Sequence, residues 1–448
     1  MRYIPSSPAE RRKLLQVLGL DSIDRLFDTI PEAFRLKRPL DLPPALPEAD
    51  LVQHLSELSR KNLDPHSSAQ FLGAGAYRHF IPAIVDHLIS RAEFYSSYTP
   101  YQPEFSQGTL QSIFEFQTMI CQLTGMDAAN ASLYDGASAL AEGILLAHRA
   151  KRRQEILIAG FVHPEYLKVV RTLVTTLGIE LKMIPAGESG ACDVDRVAGQ
   201  LTGQTAAVVI QMPNFVGRLE DIAPLAQAAH RAGAVCIVVV NEAVSLGMLE
   251  APGNLGADVV LGEAQSFGVP LSYGGPYLGF MGVRMEYVRE LPGRLVGQAK
   301  DAQGRDGYVL TLATREQHIR REKATSNICT NQGLCMLAAT IFMATLGKQG
   351  MRELALQNRS RTEYAKAALI KIPGCKLPYP GPGFNEFVLE LPKEAIAVHR
   401  QLLGKGIVAG LPLERYFPER KNDLLITVTE TNSRNQIDRF TKELKGAL

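Results

Sequence analysis

Between residues 129 and 283, runs of consecutive apolar positions alternate with stretches of helical spacing. EILIA at 155–159, IELKMI at 179–184, AAVVIQ at 206–211, VCIVVV at 235–240, DVVL at 258–261 and LGFMGV at 278–283 predict strands. Most lack polar alternation, as expected of strands covered on both faces. Helical spacing near 137–150, 164–177 and 220–232 separates several of them. This rhythm predicts an α/β fold with an open, mainly parallel sheet and helices on both sides.

The flanks follow different patterns. Ser7-Pro8-Ala9-Glu10 offers an N-cap, a proline at the first helical position and a glutamate three residues after the cap. Leu14, Leu15, Leu18, Ile23, Leu26, Phe27 and Ile30 follow near helical spacing, and five prolines from Pro31 to Pro47 then force an extended stretch. Residues 1–65 therefore read as a helical and extended arm that packs either on another subunit or on its own core. The tract at 66–108 is rich in Gly, Pro, Tyr and Phe and reads as a rigid loop wall. Leu110, Ile113, Phe114, Phe116, Met119, Ile120 and Leu123 predict a buried helix ending at Gly125. Beyond about residue 345 a long helix leads to FVLEL and LLITVTE strands, which divides the rest into a large domain, 66–345, and a small α/β domain, 346–448.

Composition narrows the function. Among 448 residues, 48 Lys and Arg balance 46 Asp and Glu, so the net charge of +2 favours neither nucleic acid nor an anionic membrane surface. No apolar run reaches the ~20 residues of a membrane span, and the first residues lack the apolar core of a secretory signal. Six cysteines without a CxxC pair support neither a disulfide framework nor a zinc site. The expectation is a cytoplasmic protein with no metal centre.

Three places at the predicted sheet edge invite chemistry. Asp135-Gly136-Ala137-Ser138 opens a helix whose free N–H groups suit a phosphate or carboxylate, or else form a plain cap. Val235–Val240 delivers Asn241 and Glu242, but Asn241 cannot supply the charge that holds a heterocycle's ring proton. Gly262–Gly268 is a polar, glycine-flanked loop after a buried strand.

These pieces together resemble the pyridoxal-phosphate enzymes of fold type I. Within them, TPYQPEFSQGTLQSIFEFQTMICQLTGMDAANASLYDGASALAE, FLGAGAYRHFIP and ATSNICTNQ resemble the glycine decarboxylase (P-protein) family of the glycine cleavage system. Members are single long chains or pairs of alpha and beta chains, and this chain is similar to the alpha type. The resemblance implies decarboxylation of glycine and passage of the aminomethyl group to the lipoyl arm of an H-protein, with pyridoxal phosphate held covalently by the beta chain. It also implies a heterodimer or a dimer of heterodimers.

A fold type I enzyme needs a lysine for its Schiff base, and none lies between Lys182 and Lys300. Gln265, Ser266 and Phe267 stand in its expected tract. The chain is thus expected to carry no catalytic residue of its own and to complete a site shared across the interface. By the resemblance, Thr325, Ser326 and Asn327 reach the cofactor phosphate, while Tyr77, His79, Tyr98, Tyr101, Gln102 and Glu104 line the pocket for glycine or the lipoyl arm.

Plainer readings stand beside these. Tyr98 and Tyr101 pack between subunits, Thr325 and Asn327 cap a helix beginning near Ile328, and His79 is an ordinary hydrogen-bonded histidine. Arg320 and Arg321 are surface or interface charges, and Cys329 and Cys335 read as small buried hydrophobes. The competing functions are a stand-alone enzyme using Lys300 or Lys323 and a non-catalytic scaffold.

Overall fold

The computed structural model describes residues 6–64, 68–95 and 97–448. The chain divides into two compact units, Met1–Leu63 and Asp64–Leu448. In the first, α1 (Pro8–Val17) begins with the expected capping box: Glu10 N–H donates to Ser7 Oγ at 3.3 Å and Ser7 N–H to Glu10 Oε2 at 2.7 Å. The Arg35 guanidinium ties the following turns together, donating to Phe27 O and Ile30 O at 2.8 Å each. After the proline-rich stretch comes α2 (Glu48–Ser59), and neither helix has a buried residue.

The second unit is built on a seven-stranded sheet. Its strands are β1 (Ala128–Ala129), β2 (Glu155–Ala159), β3 (Glu180–Ile184), β4 (Thr205–Gln211), β5 (Val235–Val240), β6 (Val259–Glu263) and β7 (Gly279–Val283), in the order β1-β7-β6-β5-β4-β2-β3. The five from β2 to β6 pair in parallel, while β7 pairs antiparallel with both of its neighbours, β6 and β1. Every residue of β4 and β5 is buried, which explains their unbroken apolar runs. The faces are covered by α3 (Gln107–Thr124), α4 (Gly136–Lys151), α5 (Pro164–Val174), α6 (Val194–Gln200) and α7 (Ile222–Arg231). Helix α3 stops where Gly125 turns left-handed at φ 71°, as its sequence predicts.

Strands β8 (Leu295–Lys300) and β9 (Asp306–Thr311) form a hairpin pinned to α3 by two 2.9 Å bonds between the Gln117 amide and the Val296 backbone. Helix α8 (Gly333–Leu369) is interrupted at Gly347, where φ is 58°. It leads to a three-stranded antiparallel sheet of β10 (Glu386–Glu390), β11 (Leu411–Pro412) and β12 (Asp423–Thr427). Helices α9 (Ala395–Leu403) and α10 (Arg434–Ala447) cover that sheet around a core containing Phe71 and Phe440, whose rings stack at 4.4 Å.

Candidate functional site

The carboxyl ends of β5 and β6 are the natural ligand position of such a sheet, and here the chain fills it with its own groups. Glu263, the last residue of β6, accepts N–H bonds from Gly136 at 3.0 Å, Gln265 at 3.0 Å and Leu278 at 2.8 Å. Asp135 takes the Ser138 N–H at 2.7 Å. Two of the donors that open α4, Gly136 N–H and Ser138 N–H, are therefore engaged by internal carboxylates. Burial pushes the Glu263 carboxyl up to about 7, against the lowering pull of the Leu278 and Gly136 N–H groups. Gln265 is spent as well: its Oε1 accepts from Tyr77 N–H at 2.9 Å and its Nε2 donates to Val269 O at 2.7 Å.

The loop Gly73–Tyr77 enters the same space. His163 Nδ1 accepts the Glu165 N–H at 3.1 Å, which leaves Nε2 to donate to Ala74 O at 2.8 Å. Gly75 lies so close that a Cβ would sit 2.6 Å from His163 Nε2 and 3.6 Å from Asn241 Nδ2. Among the described residues the buried Asn241 amide has no hydrogen-bond partner at either atom, and neither has the buried Ser266 hydroxyl.

Tyr77 and His79 belong to a buried polar ring. The Tyr77 hydroxyl donates to Glu386 Oε2 at 2.7 Å, and Glu386 Oε1 accepts from Ala74 N–H at 2.7 Å and Thr427 Oγ1 at 2.9 Å. Burial raises the Glu386 carboxyl to about 7. His79 donates from Nε2 to Glu242 Oε2 at 3.1 Å and from Nδ1 to Glu430 Oε2 at 2.8 Å. Burial alone would depress the imidazole, but the ion pairs with Glu242 and Glu430 outweigh it and carry His79 to about 10. Both side chains thus face carboxylates of their own chain.

The remaining candidates gather on another face. Tyr98 is 87 % exposed and its hydroxyl reaches Thr330 Oγ1 at 3.4 Å. The Tyr101 ring meets His318 edge-on at 5.7 Å and lies 5.7 Å from the Arg294 guanidinium. Gln102 and Glu104 are exposed around the turn Pro103–Phe105. Thr325 N–H donates to Arg315 O at 3.1 Å, Ser326 Oγ accepts from Ile328 N–H at 3.0 Å, and Asn327 is exposed. Of these candidates Tyr98 lines a cleft of about 510 Å³, together with Phe94, Tyr134, Thr330, Gln332 and Leu334. The structure so brings Tyr98, Tyr101 and the loop 325–332 together and keeps Tyr77 and His79 apart from them.

Two plain readings need correction. The helix expected near Ile328 begins at Gly333, without a side-chain cap, so Thr325 and Asn327 cap nothing. Cys329 is exposed and Cys335 only half-buried, because both lie at the surface where the irregular segment runs into α8.

Residues 1–444 match the family model described as the glycine cleavage system P-protein. The chain belongs to that family. It is 50 % identical over 450 residues to a probable glycine dehydrogenase (decarboxylating) subunit 1 of Desulforamulus reducens, with all of both chains covered. It is 49 % identical over 448 residues to the protein of the same name in Moorella thermoacetica, again with full coverage of both. A crystal structure of an inhibitor-bound glycine decarboxylase (P-protein) superposes with TM-score 0.91 at 42 % identity and full coverage of both chains. A glutamate decarboxylase of Lactobacillus brevis, 14 % identical, shares the fold at TM-score 0.68 over 94 % of this chain and 97 % of its own. This is the fold of the pyridoxal-phosphate enzymes of fold type I.

Pyridoxal phosphate does not fit this P-protein chain's own sheet end. Gln265 and Ser266 offer no amine for an imine, Asn241 offers no charge to the ring nitrogen, Glu263 and Asp135 occupy the Gly136 and Ser138 N–H groups at the terminus that would receive the phosphate, and Gly75 crowds His163 and Asn241. Sequence reasoning missed Glu263, Glu386 and Arg294. A glutamate closing a buried strand after a glycine was the only hint of the first, and the partners of the other two are remote in sequence.

Proposed function

We propose that this chain is the non-anchoring subunit of a two-subunit glycine decarboxylase, acting with a second subunit whose lysine holds pyridoxal phosphate. The reading rests on one observation: the chain fills its own cofactor position with Glu263, Gln265 and the Gly73–Tyr77 loop, while Tyr98, Thr330 and Asn331 line an open cleft elsewhere on the chain. Pyridoxal phosphate, when bound, supplies an electron sink for the carbanion left by loss of carbon dioxide. Thr325, Ser326 and Asn327 offer hydroxyl, amide and N–H donors to its phosphate across the interface. Tyr98, Tyr101, Gln102 and Glu104 form a wall that excludes water and admits glycine and the lipoyl arm of an H-protein. The complex works in the cytoplasm.

The test is borohydride reduction of the chain with pyridoxal phosphate, alone and with the second subunit, followed by mass mapping and an assay of glycine-dependent carbon dioxide release. A reduced adduct on the second subunit only, with release only from the mixture, supports the proposal. A specific adduct on Lys300 or Lys323 of this chain, with release from it alone, would favour a stand-alone enzyme. Both lysines are exposed, and Lys300 pairs with Asp306 on the hairpin.

A further inference from the structure

Arg294 is 4 % exposed, and no carboxylate pairs with it among the described residues. Its Nη1 donates to Asn331 Oδ1 at 2.9 Å and to Thr330 Oγ1 at 3.5 Å, and its Nη2 donates to Cys329 O at 3.2 Å. Nε is buried without a partner among the described residues. The guanidinium also underlies the Tyr101 ring at 5.7 Å. One side chain therefore touches both loops that carry the proposed interface residues. Its own backbone is fixed to the sheet side, where Arg294 O accepts Ala131 N–H at 2.9 Å just before β8.

The segment it grips is fastened from a second direction. Cys329 N–H donates to Tyr134 Oη at 3.2 Å, Asn331 Nδ2 to Ala131 O at 3.1 Å, and Gln332 N–H to Ser132 Oγ at 3.2 Å. Burying a guanidinium without a counter-charge is costly, and an apolar side chain would serve packing better. What an apolar side chain cannot do is bridge three acceptors in a planar fork and stack on an aromatic ring at once.

We infer that Arg294 is a positioning residue of the shared active site, setting the 325–332 loop and Tyr101 in one arrangement before the second subunit arrives. The inference rests on the proposed function. Arg294 touches no substrate; it acts through the residues it holds. Misplacing an active-site wall by about 1 Å costs on the order of a hundredfold in rate, so loss of the fork is expected to lower turnover by roughly tenfold to a hundredfold.

The experiment compares wild type, Arg294→Met, Arg294→Lys and Asn331→Ser, the last removing an acceptor in case the methionine variant does not fold. Hydrogen exchange is followed at 98–104 and 325–332 in the lone chain. Then kcat, KM for glycine and affinity for the second subunit are measured in the mixture. Expected is loss of protection in the two loops with β4 unchanged, a kcat lowered at least about tenfold, subunit affinity unchanged, and partial recovery in Arg294→Lys. Loops that loosen while kcat and KM stay within twofold of wild type overturn the inference. So does a kcat that falls only in proportion to the fraction folded and assembled. A wild-type mixture that releases no carbon dioxide overturns the proposed function and the role assigned to Arg294 with it.

Discussion

The Glu263 carboxylate lies 3.0 Å from the Gly136 N–H and so occupies the helix terminus at which a phosphate would dock. A carboxyl buried this completely binds its proton more tightly when folded, and Glu263 rises from 4.5 to about 7. Between those values the folded state holds the extra proton, so this group's contribution to stability falls as pH rises from about 4.5 to about 7. In Glu263→Gln the titration is gone, while Glu386, raised to about 7 as well, titrates in both proteins and cancels from the comparison. Urea unfolding across this range should show wild type losing about 3 kcal/mol relative to the variant, at roughly 1.4 kcal/mol per pKa unit. Parallel profiles would show that Glu263 stays ionised throughout.

His79 carries the opposite sign. Its pKa of about 10 lies above the ordinary 6.5, so the stability it adds is complete below about 6.5 and is lost as pH rises through 10. Replacing it with Gln leaves Glu242 and Glu430 buried without their cation, which costs about 3–5 kcal/mol near neutrality. The gap between wild type and His79→Gln should narrow steadily from pH 7 to 10. A gap that does not change with pH would mean that the imidazole is neutral in the folded chain.

The contrast between the sheet and these clusters explains what could be read in advance. Strands β4 and β5 are apolar at nearly every position because both faces are covered, and α3 ends at Gly125 because a left-handed residue is needed there. Such features are written in adjacent residues. The absence of a lysine from 183 to 299 is equally local. Tyr77 and Glu386, by contrast, are 309 positions apart, and only the fold makes them partners. Arg294 looks like any surface arginine until its three acceptors in 329–331 are placed beside it. Cys329 misleads because small apolar character says nothing about lying on an irregular segment.

Gly75 tests how tightly the loop fills the sheet end. Its φ of 101° is unfavourable for a side chain, and a Cβ would press within 2.6 Å of His163 Nε2. Gly75→Ala should therefore cost at least ~2 kcal/mol from backbone strain and overpacking together. At Gly108 in α3 an added Cβ would meet no atom of the described residues within 4 Å beyond its chain neighbours and its own helix backbone, so Gly108→Ala should instead stabilise the chain by about 0.5–1 kcal/mol. Thermal unfolding of the two variants should move in opposite directions. A neutral Gly75→Ala would show that the loop can withdraw from His163.

Tyr98 and Asn327 separate a shaped active-site wall from a mere scaffold. Both are exposed, and among the described residues the one hydrogen bond of the Tyr98 hydroxyl is the long contact to Thr330 at 3.4 Å. Their replacement by Ala should leave the lone chain's unfolding free energy within about 0.5 kcal/mol of wild type. If they face the reacting glycine across the interface, each loss opens the site to water and removes an orienting contact, so turnover of the two-subunit enzyme should fall roughly tenfold or more. Subunit affinity, measured by titration in the same buffer, distinguishes the causes: a scaffold contact weakens assembly in step with turnover, whereas a wall lowers turnover at saturating partner. Full activity in both variants at saturation would leave this chain a structural companion of the second subunit.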